Sequence, residues 1–394
     1  MKILFVCESF SSKLSGGKVV RYLHDILTNR GHEVRIAITS PYNQADTWIK
    51  GDDLLITAIP SRTRYYWRLY ALANSKYVPN EFSHLVNEFK PDVVHFCSFD
   101  HTKSSNLYQY CHERKIRIIL QPWTMHFYCA QGFGYKDNQQ CTRCITDGLS
   151  TAFIQGCTNL RGCLGQLERA SLRQMAVGLA DIVLSSNSDL DKILQSYGVP
   201  ACKVRRFPIA FDTSKTLPAD TKQGDYYIYY GQANSHKGTD FIIEFFSALS
   251  DKKLKLYPMS PYAASKTLPP NIEIISGIGW DNGLREAISN AKAVIVPSLW
   301  ATSTEYSLCE AMTLRKPVVV FGVGVHKDVL THRKNAMVVR AGSQKEFKVA
   351  LDDLEENIDL YNSLAEAGSK RIAEINADSK LYAQLMDAYS STNL

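Results

Sequence analysis

Short apolar runs rich in β-branched residues alternate with amphipathic segments along this chain, and they do so in two successive sets. The first set is KILFVC, EVRIAIT, DLLITAI, DVVHFC, RIILQP and DIVLSS, and the second is YYIYYG, KLKLYP, IEIISGI, AVIVPS and PVVVFG. Strands that alternate with helical segments are typical of a parallel sheet covered by crossover helices. The pattern therefore predicts two doubly wound α/β units.

The length of the chain agrees with two domains. Its 394 residues exceed what one hydrophobic core usually organises, and roughly 150 to 200 residues per domain is the expectation. The join is the polar, Pro-containing stretch at 208–225. We predict an N-terminal domain over residues 1–210 and a C-terminal domain over 222–375.

The end of the chain is helical in pattern, and the segment at 345–392 is too long for one helix. We predict a break near Gly368. The last helix, within 376–394, is expected to pack back on the N-terminal domain.

The charge and the start of the sequence limit the partners and the location. A net charge of +6 suits phosphate-bearing ligands or an anionic membrane face, and is too small to indicate a nucleic-acid partner. Glu8 interrupts the first apolar run, which therefore predicts a strand and not a signal peptide. No stretch approaches the ~18 apolar residues of a membrane span. We expect a cytoplasmic protein, in which disulfides are rare.

Ligands of parallel sheets bind beside the carboxyl ends of the strands, so the loops there are the candidate site. Gly16 and Gly17 follow the first strand and open a helical pattern, where free amides can approach an anion. Lys237 and Gly238 hold the same position in the second unit. A plain turn and an exposed lysine without a role are the alternatives.

A third loop, in AVIVPSLWATSTEYSLCEAM, leads from a strand into a helix. Free amides near Tyr306 and Ser307 could bind phosphate, and Glu310, one turn later, could accept hydrogen bonds from ribose hydroxyls. The alternative is an ordinary helix with a capping-box glutamate.

Several stretches of the chain together resemble family 4 of the retaining glycosyltransferases. They are GGKVVRYLHDILTNRGHEV, KPDVVH, TMH, SNSDLDKILQSYGV, YYGQANSHKG, the segment from PSLW to EAM, KPVVV and NAMVV. The resemblance implies the GT-B fold, in which two Rossmann-like domains face each other across a cleft. It also implies sugar transfer from a nucleotide-diphosphate donor to a glycan or lipid-linked acceptor, with retention and without a catalytic metal. The expected setting is surface polysaccharide synthesis.

The resemblance assigns roles to five residues. Gly16 and Gly17 match the glycine loop near the donor phosphates, and His126 matches a histidine close to the transferred sugar. Lys237 matches the lysine that neutralises the leaving diphosphate, and Glu310 matches the glutamate that binds ribose. For His126, a buried histidine with a structural hydrogen bond is the alternative.

Two donor-site positions depart from the family pattern. Thr302 stands where the family has a first glutamate, and Gln232 stands where it has an arginine. Glu305, which is out of register, is not expected to replace the missing carboxylate. These departures keep two other hypotheses open: an inactive zinc-containing binding protein, and another GT-B enzyme such as a nucleotide-sugar epimerase.

An Asp189-Leu190-Asp191 sequence follows SSNS at a predicted helix start. Helix capping and the helix dipole explain these carboxylates, so we do not predict a metal site there.

A cysteine-rich insertion, residues 127–165, follows His126. It contains Cys129, Cys141, Cys144 and Cys157, with Cys163 as an alternative ligand. Four thiols around a Cys-x2-Cys have the number and type of ligands of a structural zinc site. We predict a zinc clip that orders this loop and steadies His126. Reduced, unliganded cysteines and a redox dithiol are the alternatives.

Arginines and aromatic residues alternate over residues 61–77. Such a segment could lie on an anionic membrane face, which would make the protein peripheral at the inner face of the membrane. A structural helix with solvated arginines is the alternative.

Overall fold

Two parallel sheets, one in each half of the chain, organise the protein. The computed structural model describes residues 1–7, 15–38, 56–58, 78–97, 105–137, 139–148, 150–160, 162, 174–208, 210–216, 223–259, 267–301 and 305–391. All structural statements below concern these residues.

The first sheet has seven described strands in the order β3-β2-β1-β4-β5-β8-β9, and all neighbours are parallel. The strands are β1 Lys2–Cys7, β2 Glu33–Ile38, β3 Ile56–Ala58, β4 Val93–Cys97, β5 Arg117–Gln121, β8 Ile182–Ser185 and β9 Val204–Arg206. Between β5 and β8 the insertion forms a small antiparallel pair, β6 Tyr135–Lys136 and β7 Gln139–Gln140.

The second sheet has six described strands in the order β12-β11-β10-β13-β14-β15, again all parallel. They are β10 Tyr226–Gly231, β11 Lys253–Pro258, β12 Ile272–Ile274, β13 Ala293–Val296, β14 Val318–Phe321 and β15 Met337–Val339. The predicted fold class, two Rossmann-like α/β units, is confirmed. The short strands β9 and β15 were not among the predicted runs.

Helices connect the strands and cover the sheets. They are α1 Ser15–Thr28, α2 Asn80–Phe89, α3 Ser105–Glu113, α4 Arg143–Thr146, α5 Thr151–Ile154, α6 Ser188–Ser196, α7 Thr239–Ser247, α8 Leu284–Ser289, α9 Tyr306–Thr313, α10 Val325–Val329, α11 Gln344–Glu356, α12 Ile358–Ile375 and α13 Asp378–Ser390. Each sheet has a buried apolar cluster on both faces, because crossover helices leave neither face to solvent. Among the helices described, none is both long and apolar enough to cross a membrane.

The predicted helix break near Gly368 is wrong. Gly368 lies inside α12, where a Cβ atom would fall 3.0 Å from Asn335 O and from Met312 Cε, so close helix packing explains the glycine. The chain breaks instead at Asn357, whose side chain caps α12, and at Asn376. Asn376 Oδ1 accepts the backbone N–H of Phe211, which ties this second break to the connection between the two sheets.

The last helix, α13, packs on the first sheet. Its apolar residues Leu381, Leu385 and Tyr389 belong to the same buried cluster as β1. The Tyr389 hydroxyl lies 2.8 Å from His95 Nδ1 on β4, and both side chains are buried. The chain therefore returns from the second sheet to the first, and a buried polar contact fixes the register of its last helix.

His95 should make the folding stability depend on pH. Burial lowers the pKa of His95 to about 3, whereas an unfolded histidine titrates near 6.5. Below pH 6.5 the unfolded chain binds a proton that the folded chain rejects, so stability falls as the pH falls, by about 2 kcal/mol at pH 5. The free energy of unfolding of His95→Gln, measured with denaturant, should therefore fall by about 2 kcal/mol less between pH 7 and pH 5 than that of the wild type.

The same substitution at His84 is the matched control, because the His84 side chain is 80% exposed and pairs with a surface glutamate. An equal loss of stability in the wild type and His95→Gln over this pH interval would contradict the assignment.

Candidate functional site

An ion pair joins the helix that follows β1 to the helix that follows β13. Lys18 lies in the first turn of α1, and its Nζ is 3.3 Å from Oε1 of Glu310 on α9. The Lys18 ammonium also lies 5.1 Å from the centre of the Tyr306 ring. Loops at the carboxyl ends of both sheets therefore meet here. Lys18 was not predicted, because no sequence pattern shows which carboxylate it reaches.

Glu310 is buried, with a side chain only 10% exposed. Burial raises the pKa of its carboxyl group, and Lys18 and the Tyr230 hydroxyl act against that rise. Glu310 is the fifth residue of α9, two positions beyond the third residue used by a capping box. The capping alternative thus does not describe it, and the carboxylate is paired with Lys18.

Lys237 pairs with Glu305, which directly precedes α9 and lies five residues before Glu310. Lys237 Nζ lies 2.7 Å from Glu305 Oε1, and the Ser298 hydroxyl donates to the same oxygen at 2.5 Å. Burial favours a higher pKa for Glu305, but Lys237, His326 and Ser298 outweigh it, so the pKa of Glu305 is lowered. Glu305 is therefore a buried carboxylate held in its charged form beside the lysine.

The Lys237–Glu305 pair bears on the two donor-site positions that depart from the family pattern. Glu305 was not expected to contribute from its spacing, and its carboxylate pairs with Lys237. Thr302, the position of the missing family glutamate, lies outside the described residues. Gln232 is exposed, and its backbone carbonyl accepts a 2.5 Å hydrogen bond from the Tyr229 hydroxyl. Lys237 thus supplies the positive charge of this loop, and it forms an ion pair with Glu305.

Gly16 and Gly17 lie in the first turn of α1, as the pattern predicted for a helix start. A Cβ atom on Gly16 would fall 2.6 Å from a ring carbon of Trp123, in the loop after β5. Close packing on Trp123 therefore requires a glycine at this position, independently of any ligand.

His126 lies in the same loop after β5 and is half-buried. Its Nδ1 is 2.8 Å from the Thr124 hydroxyl. Gly132 has a φ of +80°, and a Cβ there would fall 2.3 Å from the His126 ring. The backbone of the cysteine-rich insertion therefore rests directly on the His126 ring.

Tyr306 and Ser307 form the start of α9. The Ser307 carbonyl accepts a 2.8 Å hydrogen bond from the Tyr230 hydroxyl, and the Tyr306 ring packs against Phe211 with its centre 5.1 Å away. These contacts fix the start of the helix beside Glu310.

Of the Asp189-Leu190-Asp191 sequence, Asp189 contacts the second domain and Asp191 stays within the first. Asp189 pairs with Lys327 and accepts the backbone N–H of Gly324, while Asp191 pairs with Arg206. These carboxylates are used in ion pairs. The expected capping is made instead by Asn187, whose side chain accepts the Leu190 N–H.

The four described cysteines of the insertion lie near one another. Cys129 packs on the first-sheet core, and the Gln131 side chain donates to the Cys157 carbonyl at 3.2 Å. Arg143 bonds Gln155 at 2.7 Å, which links α4 to α5. Every described cysteine is a free thiol.

The pKa of Cys144 differs from that expected for a reactive thiol of a redox dithiol. Burial, followed by the neighbouring thiols of Cys129, Cys141 and Cys157, raises the pKa of Cys144 to about 11. A reactive dithiol needs a lowered pKa. Within the described ranges, no three His, Cys, Asp or Glu side chains are arranged ready to hold a metal ion. Cys163 and residues 61–77 lie outside those ranges.

Comparison with known proteins identifies the fold. Residues 214–371 match the family model "Glycosyl transferases group 1". No curated protein matches the chain in sequence.

Solved structures match over nearly the full length. Sucrose-phosphate synthase from Thermosynechococcus elongatus has a TM-score of 0.71 at 12% identity, covering 99% of this chain and 98% of the other. HepE from Anabaena, in complex with UDP-glucose, has a TM-score of 0.68 at 12% identity, covering 100% of both chains. The lipopolysaccharide outer core galactosyltransferase WaaB has a TM-score of 0.65 at 12% identity, covering 98% and 99%. The chain therefore has the GT-B fold.

The Lys237–Glu305 pair can be tested by a double-mutant cycle. The two side chains are 17% and 6% exposed, so removing one partner leaves a buried charge without its counterion. Lys237→Met and Glu305→Gln should each lower the free energy of unfolding by about 3 kcal/mol, and the double variant by much less than the sum.

The Lys253–Asp225 pair is the control, because its N–O distance is 2.8 Å but its side chains are 63% and 73% exposed. Its coupling energy should be below about 1 kcal/mol. Equal coupling energies in the two cycles would show that Lys237 and Glu305 are not a buried pair.

Proposed function

We propose that this protein is a retaining glycosyltransferase that moves a sugar from a nucleotide-diphosphate donor to a hydroxyl group of a glycan or lipid-linked acceptor. The observation that carries the proposal is the buried Glu310 carboxylate on α9, with Lys18 from the first domain at 3.3 Å. The match of residues 214–371 to a glycosyltransferase family and the GT-B fold support the same reaction class.

Donor binding would use both domains. Glu310 would accept hydrogen bonds from the ribose hydroxyls, and the first amides of α9, at Tyr306 and Ser307, would face the phosphates. The Lys18 side chain is 38% exposed and can move, whereas Glu310 is fixed in the core. In this proposal, the ribose hydroxyls bind Glu310 in place of Lys18, and the Lys18 ammonium then pairs with the donor diphosphate.

The transfer step would use electrostatic stabilisation. The bond between the anomeric carbon and the diphosphate oxygen breaks, and the acceptor oxygen bonds to the same face of that carbon. The acceptor proton passes to the departing diphosphate oxygen. Lys237 and the helix amides would stabilise the charge that grows there, which is usually the largest catalytic contribution. Glu305 would hold Lys237 in position, and His126 would orient the sugar.

A metal is not needed for this step in our proposal, since the two carboxylates of the Asp189-Leu190-Asp191 sequence are already paired with Lys327 and Arg206. On the resemblance alone, we propose a role in surface polysaccharide synthesis. A cytoplasmic enzyme that contacts the inner face of the membrane through residues 61–77 fits that role.

We also propose a structural zinc in the insertion, held by Cys129, Cys141, Cys144 and Cys157, with Cys163 as the alternative fourth ligand. Thiols are the ligands of closed structural zinc sites, and the four described cysteines are gathered in one loop. Because these thiols are not yet in a ligating arrangement, metal binding would draw them together and order the loop. The zinc would have no part in the transfer step.

Nucleotide-sugar binding is the direct test of the activity. Because HepE is described in complex with UDP-glucose, UDP-sugars are the first donors to try, followed by GDP- and ADP-sugars. A donor at 100 times its dissociation constant should stabilise the protein by about 2.7 kcal/mol in thermal unfolding. Glu310→Gln should abolish this shift and lower the transfer rate by roughly 10² to 10³.

Glu356→Gln, at an exposed glutamate on α11, is the matched control and should behave as wild type. Product formed without any acceptor would favour the epimerase alternative. Binding of none of the donors by the wild type would rule out the transferase.

The zinc proposal predicts about one zinc per chain by elemental analysis of protein purified without chelator. Replacing Cys141 and Cys144 together by serine should remove the metal and increase protease cleavage between residues 130 and 160. The fold as a whole should persist, because both sheets have large cores of their own.

Cys202→Ser is the control for this variant, because Cys202 is an exposed free thiol outside the insertion. Zinc-free wild-type protein, together with unchanged proteolysis in the double variant, would contradict the clip.

A further inference from the structure

The cysteine-rich insertion belongs to the first domain in sequence but contacts the second. It leaves the first sheet after β5 and returns to it before β8. Between these strands, Tyr135 packs against the apolar cluster of β10, α7 and α11 in the second domain. The insertion therefore crosses from one domain to the other, and no local sequence pattern predicts this contact.

Phe133 makes the most specific of these contacts. Its ring is stacked on the His236 ring, with centres 3.8 Å apart and planes at 16°. The Trp300 ring meets both at nearly right angles, with its centre 5.6 Å from Phe133 and 5.7 Å from His236. Two rings, one from each domain, thus pack around His236, which is 7% exposed.

The residue before Phe133 contacts the other side of the candidate site. Gly132 packs on the His126 ring so closely that a Cβ would fall 2.3 Å from it. Two consecutive residues of the insertion therefore touch a histidine of each domain: His126 in the first and His236 in the second.

The His236 contact continues to Lys237. The two residues share a short 3-10 turn, Ser235–Lys237, and the His236 carbonyl accepts the Leu299 N–H at 2.9 Å. Trp300 lies 5.4 Å from Lys237 Nζ. A displacement of the Phe133 ring would consequently loosen the turn that carries Lys237 and the neighbouring segment that leads to Glu305.

We propose that residues 132–135 form an interdomain strap, and that Phe133 is a positioning residue that holds the Lys237 turn against the first domain. The function of the strap in transfer rests on the proposed function, whereas its packing does not. If zinc binding orders the insertion as proposed above, it also orders the residues that contact both histidines.

The stack has a spectroscopic signature that needs no enzymatic activity. Burial, with the charge of Lys237 adding to it, lowers the pKa of His236 to about 4, so the ring is neutral at pH 7. Phe133→Ala removes one covering ring and exposes His236 to water. In an NMR titration of the histidine rings, with His236→Asn used for assignment, the pKa of His236 should rise towards 6.5 in this variant.

The kinetic consequence can be measured with UDP, uridine and the donor identified above. In Phe133→Ala, uridine binding should be unchanged, UDP binding weaker, and kcat/KM for the donor lower by roughly 10-fold to 100-fold, because the Lys237 turn is no longer held. Phe133→Tyr keeps the stack and should restore both the titration and the rate. Phe153→Ala, at a 46% exposed ring of the same insertion, is the matched control.

The outcomes separate the two proposals. If the wild type binds no nucleotide but His236 titrates as described in Phe133→Ala, the transferase proposal fails and the packing of the strap stands. If the wild type transfers sugar and Phe133→Ala keeps both its His236 titration and its kinetics, the strap is wrong and the transferase stands.

Discussion

Buried charge between the two domains is the constraint on which the site depends. A buried carboxylate loses its hydration. A cation or several hydrogen bonds must therefore compensate for the lost hydration free energy. Glu310 meets this need with Lys18 from the opposite domain, and Glu305 meets it with Lys237 and Ser298. The first pair joins the two domains through the Glu310 carboxylate. The second pair fixes the position of the lysine that would face a departing diphosphate.

The domains are joined by contacts of three physical kinds, at separate places. The last helix buries apolar side chains on the first sheet and hydrogen-bonds His95. The Asp189–Lys327 ion pair links the exposed starts of α6 and α10. The stacked rings of Phe133 and His236 form the third contact. Relative motion of the domains must disturb at least one of them.

These ion pairs also bear on the positions that depart from the family pattern. A neutral residue at Gln232 removes one cation from the second domain. Lys18 places a cation on the opposite wall of the same site, and its sequence neighbours Gly16 and Gly17 gave no sign of it. Glu305, not expected to contribute, contacts Lys237 directly. Spacing along the chain identifies candidate residues by their match to the family pattern. Which side chains meet in the site depends instead on the length and direction of the loops.

The sequence by itself determined the two parallel sheets, the start of α1 at Gly16 and Gly17, and the helix that carries Glu310. Strand and helix periodicities are local, so they can be read without knowing what packs against them. Only the tertiary structure decided that Gly368 lies within a helix, that Asp189 pairs with Lys327 across the domains, and that Phe133 reaches His236. These facts depend on contacts between residues far apart in the chain, and no local pattern records the partner of a buried ring or charge.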